Sequence, residues 1–275
     1  VPITLGGGIR NFNDAKKLNS IEIRNNIRIG SYVNHTAGLA KNNLQTNVVI
    51  LPKQFSIEFT NFCKLNTKAC PLVAKTETGI PVFSNLGEEI DIRYDVPSYN
   101  VYKNGELTET LNNIEHLWND NLVAFAIGCS FTFEHQILKH NIQIDHINNN
   151  KIVPMYRTNI KNSRSGIFGG QLVASMRIFK NCHRQKIIDI SKKFLSAHGE
   201  PIHIGDFKFL GINDIFSPDW GDKPRIKNSD ESYFFWACGV TPQNVVMEAK
   251  LPFCITHTPG HMLITDIFEK DVTPI

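Results

Sequence analysis

The run FCITHTPGHMLITD, residues 253–266, puts a cysteine, two histidines and an aspartate into one short apolar stretch. Two histidines four apart can hold zinc when they share one face of a helix. Here Pro259 and Gly260 lie between His257 and His261 and rule that geometry out. A metal would need distant ligands such as His203 and Asp206, and none is assigned. If 252–257 is a strand, His257 stands at its C-terminal end, where open α/β sheets meet their ligands. Histidine titrates near neutral pH, so His257 reads as an acid/base or as a hydrogen-bond partner of a substrate. Strand alternation puts Phe253, Ile255 and His257 on one side and Cys254 on the other, which makes Cys254 packing.

Four other stretches carry comparable groups. In AFAIGCSFTFE (124–134) an apolar strand ends at Gly128-Cys129-Ser130 and a helix begins. Cys129, Ser130 and Glu134 then present a thiol, a hydroxyl and a carboxylate beside free helix N–H groups; the structural alternative is a buried thiol with capping residues. In VPMYRTN (153–159), Arg157 offers a planar fork for a carboxylate, with Asn159 beside it. AHGEPIHIGD (197–206) brings His203 and Asp206 to a glycine-bearing turn, either as site groups or as turn chemistry. FFWACGVTPQ (234–243) is another strand, turn and helix start, and Thr241 there reads as an N-cap or an anion-binding group. Two strand-like runs therefore end in Gly-Cys or Cys-Gly turns, which would bring polar groups together at one edge of a sheet.

Positioning such groups needs strands and helices in alternation, and the chain supplies them. Strand-like runs fall at 47–52, 122–129, 172–179, 232–239 and 252–257, and helix-like segments at 56–66, 130–141, 183–199 and 241–251. Near-continuous apolar strands separated by helices predict an α/β protein with a mostly parallel or mixed sheet covered on both faces. Polar breaks at 148–152 and 217–232 predict a smaller α+β domain over 148–223, inserted into a larger domain made of 20–147 and 224–275.

Composition narrows the partners. The chain of 275 residues has net charge +3, from 29 basic and 26 acidic residues scattered along it. Nothing resembles a basic stripe with interleaved aromatics, so no nucleic-acid partner is expected. No apolar run approaches the roughly 20 residues of a membrane span, so no membrane partner is expected either. Six cysteines without a Cys-x-x-Cys pair, and a start unlike a signal peptide, read as reduced thiols in a cytoplasmic protein.

The blocks TAGLA (36–40), NVVILPK (47–53), CPL (70–72), AIGCSFTFE, VPMYRTN, HGEPIHIGD, FWACGVTPQ and FCITHTPGHMLITD together resemble the D-glutamate cyclase family, over roughly residues 20 to 267. The resemblance implies a three-layer sandwich domain with a smaller two-layer domain. It also implies a hydro-lyase, a carbon–oxygen lyase of D-amino acid metabolism. Vertebrate mitochondrial members convert D-glutamate to 5-oxo-D-proline and water. The segment 2–18, with Gly6-Gly7-Gly8, separately resembles one strand–loop–helix unit of the cyclase subunit of imidazole glycerol phosphate synthase. One such unit cannot close a barrel, so residues 1–19 are expected to be a peripheral, dispensable segment outside the family.

Lactam formation needs a base for the α-ammonium, polarisation of the γ-carboxyl and an acid for the departing oxygen. Glu134 and His257 are the candidate acid/base pair, and Cys129 is a variant nucleophile if its thiol is acidified by the helix N-terminus. Arg157 and Asn159 are the candidate carboxylate clamp. Ser130, Thr241, His203 and Asp206 complete the candidate substrate contacts. No cofactor is called for, and a homo-oligomer is compatible with the reading. The rival reading is a non-catalytic binding or regulatory protein that takes a small amino acid or carboxylate into the same cleft.

Overall fold

The structure is a computed structural model describing residues 12–268 and 274. In chain order the elements are α1 (Phe12–Ala15), α2 (Ser20–Arg28), β1 (Asn43–Pro52), α3 (Ser56–Leu65), β2 (Leu72–Lys75), β3 (Tyr99–Lys103), β4 (Glu106–Leu111), β5 (Leu122–Gly128), α4 (Phe131–Lys139), α5 (Asp145–Asn148), β6 (Met155–Lys161), β7 (Gln171–Lys180), α6 (Arg184–Ser191), β8 (His203–Ile204), β9 (Glu231–Ala237), α7 (Thr241–Glu248), β10 (Cys254–His257) and β11 (Leu263–Phe268). They build a mixed α/β protein with two sheets. The first has the order β2-β5-β1-β10-β3-β4, with β11 also on β1, and the second the order β6-β7-β9-β8.

Every strand pair is antiparallel, against the expected mostly parallel sheet. The apolar runs arise from burial on both faces, which strand direction does not decide. Along β1 and β5, Val49, Leu51, Val123, Phe125 and Ile127 enter one core, while Val48, Ile50, Leu122, Ala124 and Ala126 enter another. The second core is closed by the irregular segment 76–98, through Phe83, Leu86, Ile90, Ile92 and Val96, rather than by helices. The first core is shared with the second sheet, whose Ala174, Met176, Phe235 and Ala237 pack there with Phe59 and Phe62 of α3 and Val245 and Val246 of α7.

The expected return to the first sheet at 232–239 does not occur. β9 pairs with β7 and β8 in the second sheet, and the chain rejoins the first sheet only at β10. Both strands are equally apolar, so pattern alone did not distinguish their sheets. The N-terminal expectation also fails where it can be seen. Ala15 is fully buried with Ile23, Ile27 and Ile264, and Leu18 packs on the same cluster. Asn19 caps α2 in a reciprocal capping box with Glu22. Residues 1–11, with the glycine triplet, lie outside the described residues.

The ends of β5 and β9 meet, though from two different sheets rather than along one edge of a single sheet as expected. Asn47 Nδ2 donates to the Ile127 and Gly128 carbonyls at 3.2 and 2.8 Å. The same amide lies against Gly239, where an added Cβ would sit 1.7 Å from Nδ2. At Gly128 a Cβ would sit 1.5 Å from the Ser196 carbonyl oxygen, a backbone atom that cannot swing aside. Gly128→Ala should therefore lower stability by about 3 kcal/mol, at the upper end of overpacking costs. Thermal or urea denaturation checks this, and an unchanged midpoint would show that the Ser196 segment relaxes freely.

Candidate functional site: a buried arginine beside a cationic cleft

Strand β6 begins at Met155, opposite Ser175 of β7. Beyond that point β7 continues to Lys180 without β6 on that side. A cleft opens here, lined among others by His146, Lys151, Arg177, Lys223 and Arg225, with Asp145 and Asp222. Its lining includes four basic side chains and two acidic ones. Asp222 accepts from the Ile152 amide, and Arg225 pairs with both Asp145 and Glu231, so the rim is held by its own charges.

Arg177 is 3% exposed. Its Nε donates to Glu134 Oε1 at 2.8 Å and Nη2 reaches the same oxygen. Nη2 also donates to Ser130 Oγ, and Nη1 to Ser175 Oγ, each at 2.8 Å. Of the five N–H donors of a guanidinium, these contacts leave one on Nη1. The Trp236 and Phe133 rings flank the cation, with Cζ 5.2 and 5.6 Å from their centroids. Glu134 is fully buried, and His146 Nε2 lies 3.2 Å from its carboxylate. Burial works to raise the Glu134 carboxyl, but His146 and Arg177 outweigh it and hold it at about 2.

The structure thus brings together Glu134 and Ser130, two expected site residues, and adds Arg177, His146 and Ser175, which the sequence reading missed. The signal for Arg177 was present: LVASMRIF carries one arginine inside an apolar strand. Cys129 adjoins the site in a cluster with Cys238 and Val173. Burial pushes its thiol well above the ordinary range, against the pull of the Phe131 amide. That is the reverse of what a nucleophilic thiol needs.

The remaining candidates lie elsewhere. His257 is fully buried, and its Nδ1 accepts from the Val48 amide at 3.1 Å and lies 3.2 Å from Gln243 Nε2. Burial lowers it to about 4, which keeps the ring neutral. It has no bond to Glu134 or Arg157, so the expected shared cleft does not form around it. Cys254 is buried packing, as the strand alternation implied. Arg157 pairs with Asp219, bonds Asn244 Oδ1 at 2.9 Å and stacks on Trp220. With Asn159 it lines a different, more open cleft beside Gly211 and Asp214. Thr241 Oγ1 accepts from the Val173 amide at 3.1 Å and is the first residue of α7, whose N-cap is Val240. His203 Nε2 contacts the Asp206 carbonyl at 2.8 Å, and Asp206 caps the short turn of helix that follows by accepting from the Lys208 amide. Those two serve the turn, because β8 pairs with β9 on the far side from β7. Among the described residues no group of three or more His, Cys, Asp or Glu is placed to hold a metal, and no helix is long and apolar enough to cross a membrane.

Fold and site define a mixed α/β protein with a cleft, partly lined by basic side chains, beside a buried arginine. The chain belongs to the D-glutamate cyclase family, whose model matches residues 123–266. Relatives include proteins named "Putative hydro-lyase" from Dinoroseobacter shibae, 47% identical over 92% of this chain and 84% of theirs, and from Burkholderia multivorans, 49% identical over 90% and 94%. A solved nitrogen repressor-like protein from Methanococcus jannaschii aligns over 93% of this chain and 97% of its own, at 11% identity and TM-score 0.43, too distant to carry an argument.

The Glu134 geometry has a pH consequence. Its folded value of about 2 lies below the ordinary carboxylate value of 4.5. Between those limits the unfolded chain binds the proton and the folded one does not, so stability falls as pH drops from about 4.5 to about 2. Urea titrations across that window should show a shallower decline for Glu134→Gln than for wild type; equal slopes would show that Glu134 is not ionised in the fold.

Proposed function

We propose that the protein is a hydro-lyase acting on a small amino acid or other carboxylate of the D-glutamate kind. Arg177 carries this reading. A buried guanidinium, fixed by Glu134, Ser130 and Ser175, keeps one Nη1 donor beside a cleft lined by cations. That donor can hold one oxygen of a carboxylate, from a guanidinium whose position its other bonds fix. Family membership and the names of the relatives support the reaction class. Arg177 takes the clamp role that the sequence reading gave to Arg157 and Asn159. Water leaves in the reaction, and in the D-glutamate case 5-oxo-D-proline remains.

The proposal extends to organisation and setting. The second sheet with its helices forms the smaller unit, ending near Cys238 rather than at 223, and the first sheet forms the sandwich domain. The partner is a small molecule rather than a nucleic acid or a membrane, and the setting is the cytoplasm.

Purified protein incubated with D-glutamate and a set of hydroxy acids should convert at least one with loss of water, read by mass spectrometry. Arg177→Lys, which keeps the charge but loses the fixed Nη1 donor, should raise KM by about tenfold to a hundredfold, the range for a charge-assisted hydrogen bond. Binding without turnover would replace the lyase reading with that of a binding protein.

A further inference from the structure

Proton transfer is the step that the assigned residues leave open. Glu134 is committed to Arg177. His257 is enclosed between Val48 and Gln243. Cys129 is held as a thiol by burial.

His146 lines the cleft beside Arg177 and is 5% exposed. It sits on α5, a single turn reached through the loop after α4. Its Nε2 lies 3.2 Å from the Glu134 carboxylate. An ionised carboxylate only accepts hydrogen bonds, so Nε2 must carry a hydrogen. In the neutral ring this leaves Nδ1 as the free base. The ring also stacks on Phe131, with centroids 6.1 Å apart and planes at 28°. Phe131 and Glu134 both belong to α4, so one helix fixes the position and the tautomer of the ring. The same carboxylate fixes Arg177, so clamp and ring are held relative to each other.

We propose that His146 is the catalytic acid/base of this cleft and that Glu134 is its positioning residue. The proposal rests on reading the cleft as a lyase site for a carboxylate. In lactam formation the substrate nitrogen gives up two protons and the carboxyl one oxygen, together one water. A C–N bond forms and a C–O bond breaks, and no electrons pass to or from a cofactor. His146 Nδ1 carries the two protons in turn from the nitrogen to the departing oxygen, ending each transfer in the form in which it began. A carboxylate orienting an imidazole by its second nitrogen is the arrangement that general base catalysis requires.

The test has two arms on the full chain. In the first, ¹⁵N-histidine NMR of the free protein should show hydrogen on Nε2 of His146, assigned by its absence from His146→Gln. In Glu134→Gln the amide can donate as well as accept, so both tautomers should appear. A wild-type ring with hydrogen on Nδ1 overturns the proposal. In the second, His146→Gln should keep the wild-type thermal midpoint and a KM within about threefold. It should lower kcat by roughly 10² to 10⁴, the contribution of a positioned acid or base, and added imidazole should restore part of it. An undiminished kcat in that variant overturns the proposal while leaving the lyase reading intact. No turnover by the wild-type protein on any carboxylate overturns the lyase reading itself, and this proposal with it.

Discussion

A full positive charge lies inside the second sheet, and the molecule is arranged around that fact. Arg177 and Glu134 are both almost completely buried. Taking such ions out of water costs several kcal/mol each, and the pair recovers this only if its remaining donors and acceptors are satisfied. Glu134, Ser130, Ser175, His146 and two aromatic faces satisfy all of them but one Nη1 donor. Removing one partner would strand the other and cost about 3–5 kcal/mol. The residues that satisfy the pair come from α4, α5, β7 and β9, so the helix that leaves the first sheet has to lie on the second. The charge pair therefore fixes how the two sheets are joined as well as the chemistry of the cleft.

The turn at Gly128 makes that joint geometrically feasible. β5 must end where α4 can start against the second sheet, and the Ser196 backbone passes so close that only hydrogen fits on the Cα. Across the gap, Asn47 of β1 ties the carbonyls at 127 and 128 and fills the space beside Gly239. Cys129 and Cys238 follow as small apolar fillers in one cluster. The two turns are thus packed and bonded into one edge.

Much of this was legible in the sequence, and what was not has physical causes. The strands 47–52, 122–129 and 172–179 and the helices 56–66 and 241–251 stand out because burial is strong and periodicity clear. The predicted helix 183–199 stops at Ser191, whose hydroxyl bonds back to the Ile187 carbonyl and competes with the helical ladder. The hairpin β3–β4 went unread although Asn104 and Gly105 mark its turn, because β4 is exposed and polar. Strand direction could not be read from strands buried on both faces. At the site, Glu134 and Ser130 were found through the strand-to-helix turn. Arg177 was hidden by its apolar strand and His146 by the polar tract 148–152 beside it. Arg157 and His257 were plausible by residue type, but the charge of one is spent on Asp219, and the other is buried with Nδ1 held by Val48 and Gln243.

The reading proposed for the site puts the substrate carboxylate in the cleft beside Arg177. A crystal structure of the protein soaked with D-glutamate, or with the carboxylate it converts best, decides this. Density is expected for a carboxylate within hydrogen-bond distance of Arg177 Nη1, with the rest of the molecule toward His146. Density instead between Arg157, Asn159 and Asp214, with the Arg177 cleft empty, would contradict it.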